Sequence, residues 1–395
     1  MFSKEEVLNF INDNDVRFIK LVFCDIFGEQ KNISILDTEI ESAFTDGIPF
    51  DPSAINGFGH DVPGDLYLVP DPATLCVLPW RPSESGVVRM LCNIYDRNGE
   101  PFVADGRLIL SEAVKKLTET DTGCHIGAES EFYLFNVDES GEPTVPLDNG
   151  SYMDAAPLDK GENVRRDICL ALSEMGIHPE RSYHEAGPGQ NEIDFRYADP
   201  LTTADNMITY KNIVKNIAKK HGLFASFDPK PLKDHSGSGM HINVIPFSLD
   251  IEGDRNVFEP FLAGILNRIR EITVFYNTSR DSYSRFGMYK APGDISWTDS
   301  DRSSLIRVPL TKGERRSIEL RSPDASANPY LAYTLLIYAG LEGIRNDMKL
   351  TPSGDIDNKA KLPQTYEEAV NLMLDSSFVR DHLPECIIEA YRNLK

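Results

Sequence analysis

The chain has 395 residues, of which 41% are apolar and 26% are charged, as in ordinary globular proteins. Its net charge is −22 and its isoelectric point is about 4.8. This acidity argues against nucleic acid or an anionic membrane as a partner, although it leaves room for a local basic pocket that binds one phosphorylated ligand. The length suffices for two or three domains with a sizeable core.

The six cysteines are scattered along the chain and form no Cys-x-x-Cys motif. We therefore expect reduced thiols in a cytoplasmic protein, and neither a disulfide framework nor a zinc ribbon. The first residues show no basic-then-apolar signal pattern, and no apolar run approaches the length that spans a membrane.

The first part of the chain predicts a small sheet with short helices. Ser3 and Glu6 have the spacing of a helix-capping box, and Asn98-Gly99 is a turn signal. The predicted strands cover 16–23, 31–35, 76–78 and 87–95, the predicted helices cover 3–12 and 38–45, and the segment 46–65, rich in Gly, Pro and Asp, predicts a loop. A boundary near residue 104 would separate a domain at 1–103 from a domain at 104–395.

The second part predicts strands and helices without strict alternation, which favours an α+β fold. Asn328-Pro329 has the order of a helix cap followed by a proline. The predicted helices cover 107–117, 162–175, 201–220 and 258–275, one follows Asn328, and two short ones lie in the tail. The predicted strands lie at 126–135, 183–195 (two, joined by a turn), 224, 240–245, 304–308 and 317–320, with loops at 138–160 and from 276 to 298.

Several of these strands carry polar residues two positions apart, which places both side chains on one face of a sheet. Glu129 and Glu131 form one such pair, which by itself is typical of a solvated face. The same spacing recurs in His241 with Asn243 and in Glu319 with Arg321, while Glu185 and Glu192 flank a turn. The recurrence predicts a sheet that lines a wet, charged cavity.

Five carboxylates and one imidazole converge in this predicted cavity. Two such charges ~4 Å apart repel by roughly 4 kcal/mol at an effective dielectric constant of 20, so the cluster needs cations. Oxygen ligands with one histidine suit two Mg²⁺ or Mn²⁺ ions better than zinc or copper. Five arginines of the C-terminal half are each typical of a surface ion pair, but together they suit a phosphate and a carboxylate; they are Arg285, Arg302, Arg307, Arg316 and Arg321. The combination predicts phosphoryl transfer to an acidic substrate.

From Val16 to about Arg345 the chain resembles bacterial glutamine synthetase. The matching motifs occur in the order of that family: Asp25-Ile26-Phe27-Gly28, Leu68-Val69-Pro70-Asp71-Pro72, Glu129-Ser130-Glu131-Phe132, Gly187 to Phe195, Gly237 to Asn243, Asp301-Arg302-Ser303 with Ile306 to Pro309, Glu319 to Asp324, and Ala327 to Leu331. The resemblance implies an N-terminal β-grasp domain and a catalytic domain with a curved antiparallel sheet flanked by helices. It also implies a homo-hexamer or homo-dodecamer with active sites between neighbouring subunits.

The resemblance implies a role for each matching residue. Glu131, Glu185 and Glu192 match the ligands of the metal nearer the amine, and Glu129, His241 and Glu319 match those of the metal that handles the nucleotide phosphates. Arg285 and Arg321 match the pair that binds glutamate, together with Gly237. Arg302 and Arg307 match phosphate-facing arginines, and Glu180, Tyr197 and Asn243 match nucleotide contacts. Asp51 matches an aspartate that the neighbouring subunit lends to the ammonium site, and Tyr152 matches a tyrosine beside it.

The amine half of the predicted site departs from the family pattern. Lys290 stands where the family has a flap glutamate that accepts a proton from ammonium, and a lysine repels that cation. Asp294, four residues later, is a candidate substitute. The ammonium-site loop, 50–54, lacks one hydroxyl. Compared with the family pattern, Ser236 replaces an asparagine, Ile245 replaces a serine and Ser317 replaces an arginine. The chain also ends before the C-terminal tail that usually holds two rings of subunits together in that family.

Three functions follow from these residues. The first is an ATP-dependent glutamate–ammonia ligase that works through a γ-glutamyl phosphate, with two or more Mg²⁺ or Mn²⁺ ions. The second is the same chemistry with a different amine, since the ammonium-specific groups are those that changed. The third is a catalytically weak relative with a binding or regulatory role, although the presence of all six metal-ligand residues argues against it.

Overall fold

A computed structural model describes residues 2–59, 62, 64–80, 86–250, 255–309, 316–353 and 360–394. Among them, no helix is long and apolar enough to cross a membrane. All six cysteines are free thiols.

The N-terminal sheet has six strands in the order β2-β1-β6-β4-β3, with β5 beside β6. Strands β1 and β6 are parallel neighbours, and the other pairs are antiparallel. Ser3 and Glu6 cap the first helix reciprocally, as predicted. The elements are α1 (Lys4–Asp13), β1 (Phe18–Cys24), β2 (Gln30–Leu36), α2 (Ile40–Thr45), β3 (Ile48–Phe50), β4 (Leu66–Pro70), β5 (Cys76–Val77) and β6 (Val87–Tyr95).

The second part of the chain is built on a nine-stranded sheet in the order β13-β14-β15-β12-β7-β10-β9, with β8 and β11 also paired to β7. Only β13 and β14 pair in parallel among its described strands. Its strands are β7 (Thr122–Val137), β8 (Pro143–Pro146), β9 (Pro179–His184), β10 (Gln190–Phe195), β11 (Leu223–Ser226), β12 (Met240–Ser248), β13 (Trp297–Thr298), β14 (Ile306–Arg307) and β15 (Ile318–Leu320). The 16-residue β7 is the strand to which the most neighbours pair.

The helices of this part are α3 (Gly106–Thr118), α4 (Glu162–Glu174), α5 (Pro200–Lys220), α6 (Phe258–Tyr276), α7 (Arg280–Tyr283), α8 (Pro329–Arg345), α9 (Tyr366–Asp375), α10 (Ser377–His382) and α11 (Glu385–Arg392). Asn328 caps α8 and Pro329 begins it, as predicted. Helices α6 and α8 pack very closely, because a Cβ at Gly264 would lie 2.0 Å from the Ala339 carbonyl oxygen. Most residues of α8 are buried, and this burial explains why the helix is apolar on nearly all sides.

The predicted element pattern is wrong in several places. Strand β3 lies inside the predicted loop 46–65, and β4 was not predicted at all. Strand β8 lies inside the predicted loop 138–160, and α7 lies inside the loop predicted from 276 to 298. The tail has three short helices instead of two. The turn at Asn98-Gly99 is confirmed, since Gly99 has a φ of +80° and donates to the Asp96 carbonyl oxygen.

Buried polar contacts join the N-terminal part to the helices beside the nine-stranded sheet. Arg107 at the start of α3 donates to Asp71, at 2.8 Å, and to Asp205 of α5, at 2.9 Å. The Asn328 side chain donates to the Ile26 carbonyl oxygen, at 2.9 Å. The N-terminal part is therefore fixed to the same helices that support the nine-stranded sheet.

Candidate active site

One row of side chains crosses four strands of the nine-stranded sheet. Asp194 of β10 is the register partner of both Arg181 of β9 and Glu129 of β7, and Glu129 is the register partner of His241 of β12. Residues directly opposite one another in a sheet point to the same face, so all four side chains lie on one side of it. Arg181 lies 2.8 Å from Asp194 and 3.7 Å from Glu129, and His241 lies 3.4 Å from Glu129.

A second row lies two residues along the strands. Glu192 of β10 is the register partner of Tyr183 of β9 and of Glu131 of β7. Glu185 follows the end of β9, where its carboxylate accepts a hydrogen bond from the Ala186 backbone amide at 2.9 Å. The turn between β9 and β10 thus brings Glu185 next to the two glutamates of the row.

A third row includes Glu319 of β15, whose register partners are Arg307 and Asn243. Arg307 donates to the Glu319 carboxylate at 2.9 Å, and Arg321 makes a further short ion pair with it. Asn243 donates to Glu129 at 3.1 Å. Asn243 therefore links Glu319, its register partner, to Glu129 of the first row.

The rows assemble two sets of candidate metal ligands. We call Glu129, His241 and Glu319 the histidine group, and Glu131, Glu185 and Glu192 the all-carboxylate group; in each, one ligand atom per residue lies within 4.8 Å of the others. These are the six residues predicted from the sequence. Oxygen donors with one imidazole fit a hard divalent cation such as Mg²⁺ or Mn²⁺.

The electrostatics of the two groups differ. Burial, followed by the charge of Glu131, raises the pKa of Glu192 well above its usual range and also raises the pKa of Glu185. Burial acts to raise the pKa of Glu129 as well, but the hydrogen bond and charge of His241, with help from Arg181, outweigh it and leave that pKa lowered. The all-carboxylate group is therefore the one that most needs an external cation.

Two cavities open onto these groups. The first, of about 510 Å³, includes Glu129, the all-carboxylate group, His241, Arg285 and Arg321 in its lining. The second, of about 340 Å³, is lined by residues that include Glu129, Glu319, Tyr197, Asn243 and Arg307. Arg302 and Tyr152 line both cavities, so the two are adjacent. A site with carboxylates at its centre and arginines at its walls can hold a polyphosphate beside an acidic substrate.

Comparison with known proteins identifies the scaffold. Residues 15–97 match the family described as "Glutamine synthetase, beta-Grasp domain", and residues 103–395 match "Glutamine synthetase, catalytic domain". The chain belongs to the glutamine synthetase family. It is 40% identical to the glutamine synthetase of Clostridium saccharobutylicum, with 99% of this chain and 93% of that protein covered, and 41% identical to that of Methanosarcina mazei, with 98% and 92% covered.

Solved structures agree with this assignment. A complex of GmaS with ADP superposes with a TM-score of 0.88 at 26% identity, and GmaS without ligand superposes with a TM-score of 0.87 at 27% identity. Each match covers 98% of this chain and 94% of the other. Members of the glutamine synthetase family are ATP-dependent ligases that use divalent metals, so this protein is an ATP-dependent carboxylate–amine ligase of that type.

The predicted substrate residues line the first cavity of the ligase. Gly237 and Arg285 lie side by side there, since a Cβ at Gly237 would meet the Arg285 side chain at 2.7 Å. Arg285 is buried and lies 3.3 Å from Asp324. The Tyr152 ring packs edge-on against Tyr183, with centroids 6.0 Å apart.

Arg316, Glu180 and Asp51, all predicted from the sequence, line neither cavity within the described part of this chain. The Arg316 guanidinium instead lies over the Phe258 ring, 4.4 Å from its centroid. Glu180 is exposed and lies 3.9 Å from Arg196. Asp51 is exposed in the N-terminal part, where it accepts a hydrogen bond from the Ser53 backbone amide at 2.9 Å. The Ser53 hydroxyl, followed by this backbone hydrogen bond, lowers the pKa of Asp51.

The segment after Arg285 separates the first cavity from a third one. Lys290 has a left-handed backbone, with a φ of +70°, and lines both. Asp294, the candidate substitute for a flap glutamate, lines the third cavity and not the first. The lysine, and not the aspartate, therefore lines the same cavity as the all-carboxylate group.

Sequence reasoning missed two residues of this site. Asp194 joins Glu129 and Glu192 in a further acidic group, and burial followed by the charge of Glu129 raises its pKa to about 6. Gln190 is fully buried and donates to Glu131, at 2.8 Å, and to the Gly237 carbonyl oxygen, at 3.1 Å. Both could have been found, because both lie on β10 with Glu192, Asp194 two residues after it and Gln190 two residues before it, and the two-residue period of a strand places all three on one face.

Proposed function

We propose that the protein is a glutamate–ammonia ligase that forms glutamine through a γ-glutamyl phosphate. The observation that carries this proposal is the junction of the two cavities, where both candidate ligand groups and the arginines meet. A nucleotide in one cavity and glutamate in the other would bring the γ-phosphate close to the γ-carboxylate.

The reaction has two steps. An oxygen of the γ-carboxylate attacks the γ-phosphorus of ATP, and ADP leaves. The amine nitrogen then attacks the carbonyl carbon of the acyl phosphate, inorganic phosphate leaves, and the nitrogen loses a proton to a base. The residues of this chain orient both substrates and stabilise the negative charge that develops on the phosphoryl group.

We assign the metal-binding roles to the histidine group and the all-carboxylate group. Mg²⁺ or Mn²⁺ bound there would neutralise charge on the phosphoryl group as it transfers. Glutamate is assigned to Arg285, Arg321, Gly237 and Tyr152. The nucleotide is assigned to Arg302, Arg307, Tyr197 and Asn243, with Arg302 also a catalytic residue. Glu180 lines neither cavity, so its assignment to the nucleotide rests on the match to the family alone.

Asp51 lies outside both cavities of its own chain, so we assign it to the amine site of a neighbouring copy in a homo-hexamer or homo-dodecamer. We further propose a division into domains at about residue 104. A cytoplasmic location suits six free thiols, which persist in a reducing compartment.

A different amine is the second candidate. Lys290 lines the first cavity, and its ammonium group would repel NH₄⁺. The same wall includes Met288 and Tyr289, whose side chains are about half exposed and offer apolar contact to a substituted amine. An alkylammonium carries the same charge as ammonium, so the apolar contacts of Met288 and Tyr289 are the observation that makes a substituted primary amine the second candidate.

Phosphate release from ATP in the presence of Mg²⁺ or Mn²⁺ and glutamate distinguishes these functions. Release with ammonia supports the first function, and release only with methylamine or a larger primary amine supports the second. If no amine gives release while nucleotide still binds, the ligase assignment is wrong for this protein and a binding role replaces it.

The variant Lys290→Glu tests the amine site directly. We expect its activity with ammonia to rise by roughly tenfold, since a carboxylate attracts ammonium and accepts its proton. Lys361→Glu is the matched control, because Lys361 lines the third cavity but not the first. Equal effects of the two substitutions, or a loss with Lys290→Glu, would mean that Lys290 does not face the amine.

A further inference from the structure

Arg181 stands at the edge of the second cavity and takes part in no role assigned so far. It belongs to β9, the last strand on that side of the nine-stranded sheet. Its guanidinium lies 2.8 Å from Asp194 and 3.7 Å from Glu129, while 64% of its side chain is exposed. The arginine is thus anchored by the buried Asp194 and the partly buried Glu129 at its inner side and open to the cavity at its outer side.

The position of Arg181 mirrors that of Arg307. Each arginine is the register partner of a carboxylate in the site: Arg181 of Asp194, and Arg307 of Glu319. Both line the second cavity, from β9 on one side of β7 and from β14 on the other. Their ion-pair distances are also nearly equal, at 2.8 Å and 2.9 Å. The sheet register therefore places two arginines on opposite walls of one cavity, each held by a carboxylate.

The two arginines differ in what their N–H groups do. Arg307 uses one of them in a hydrogen bond to Glu319. Arg181 makes both of its ion pairs, with Asp194 and Glu129, through one nitrogen, Nη2, and no other N–H group of its side chain donates a hydrogen bond to a residue in the described ranges. A guanidinium has five N–H donors in a fixed fork that matches phosphate oxygens. The N–H groups on the other two nitrogens of Arg181 are therefore available to a ligand in the cavity.

We propose that Arg181 is a further nucleotide-binding residue, which contacts the phosphates of ATP from the wall opposite Arg307. This inference rests on the proposed nucleotide role of the second cavity. Asp194 is then the residue that positions Arg181: it holds the guanidinium at the cavity wall and keeps the long side chain from extending into solvent. The ion pair between Arg181 and Asp194 also explains how a further carboxylate, that of Asp194, can lie next to Glu129 and Glu192, because the Arg181 charge opposes that of Asp194.

The variant Arg181→Ala is expected to weaken binding of a fluorescent ATP analogue, measured with Mg²⁺ and without turnover, by roughly tenfold, the effect of losing a charge-assisted hydrogen bond. In steady-state kinetics the KM for ATP should rise by a similar factor, while the KM for glutamate stays within about twofold. Arg181→Lys should recover part of the affinity, because it keeps the charge but not the fork. The matched control is Arg166→Ala, because the Arg166 side chain is 65% exposed, pairs with Asp167 at 3.0 Å and lines neither cavity.

The double variant Arg181→Ala with Asp194→Asn separates direct contact from an indirect effect. It removes the unmatched acid together with the arginine, so a defect that came only from Asp194 would disappear. We expect the loss of ATP affinity to persist. Recovery of affinity in the double variant, or unchanged affinity in Arg181→Ala, would overturn the inference. A native protein that binds no ATP at all would instead refute the proposed function, so the two failures are distinguishable.

Discussion

The two candidate metal-binding groups lie side by side on one sheet, but only one of them carries its own counter-charges. In the histidine group, Glu319 pairs with Arg307 and Arg321, and Glu129 lies near His241 and Arg181. In the all-carboxylate group no lysine, arginine or histidine of the described chain forms an ion pair with a glutamate. Its carboxylates are held by neutral donors: the Gln190 amide, the Gly239 backbone amide and the Ala186 backbone amide.

This difference shows where the protein depends on metal ions. Burial raises the pKa values of Glu185 and Glu192, whereas the pKa of Glu129 is lowered because its cationic neighbours outweigh burial. One end of the site is therefore close to neutral before any ion binds, and the other end gains its counter-charge only from bound cations. The two ends should respond in opposite ways when a carboxylate is removed.

The largest effect is expected for Glu192→Gln. It removes a ligand from the all-carboxylate group, so we expect Mn²⁺ affinity and ligase activity to fall by more than about a hundredfold. Because the substitution also removes repulsion among buried acids, the metal-free protein should be no less stable than the native one. Calorimetric Mn²⁺ titration and thermal unfolding in EDTA measure both. Glu112→Gln, an exposed change on α3, is the control, and a metal-free protein that is clearly less stable would show that Glu192 is already compensated.

The second prediction is that Glu319→Gln, unlike Glu192→Gln, makes the metal-free protein less stable. The Glu319 side chain is buried and pairs with two arginines, so its loss leaves two unmatched positive charges in the metal-free site. We expect the free energy of unfolding to drop by about 3 kcal/mol, as when one partner of a buried ion pair is removed. Urea denaturation in EDTA measures this value. If Glu319→Gln and Glu192→Gln changed metal-free stability by the same amount, the contrast between the two groups would be wrong.

The sequence predicts the contacts between residues close together along the chain, and it does not predict those between remote segments. The two-residue period of a strand brings Glu129 and Glu131 to one face, and the same rule applied to β10 would have found Asp194. The register that opposes Arg181, Asp194, Glu129 and His241 is set by strands from four separate parts of the chain. No local pattern contains that information, and the same is true of the contacts of Gln190.

Some elements were missed for a local reason. Strands β3 and β8 each contain proline, which removes a backbone donor and argues against a strand in sequence. The structure accommodates both, because β3 is at the edge of the N-terminal sheet and β8 pairs only with β7 among the described strands. Long periodic helices such as α5, in contrast, were predicted close to their observed bounds.

The smallest effect concerns the neutral hydrogen bonds that replace ion pairs around the all-carboxylate group. The buried Tyr133 hydroxyl donates to the Ser236 carbonyl oxygen at 2.6 Å, and the Ser236 hydroxyl donates to the Gln190 side-chain oxygen at 2.5 Å. Gln190 in turn donates to Glu131. Tyr133→Phe removes the first bond of this series next to Gly237, and we expect it to cost about 1 kcal/mol of stability.

The same variant should raise the KM for glutamate by about threefold to fivefold, because the loop that carries Gly237 loses a fixed contact. Tyr210→Phe is the matched control: its hydroxyl is also buried and donates to a carbonyl oxygen, that of Ser130, at 3.0 Å. Ser130 lies inside β7, where strands on both sides hold the backbone in place, so Tyr210→Phe should lower stability by a similar amount without changing the KM. Equal changes in KM for the two variants would mean that the neutral network supports the fold in general and does not position the glutamate loop.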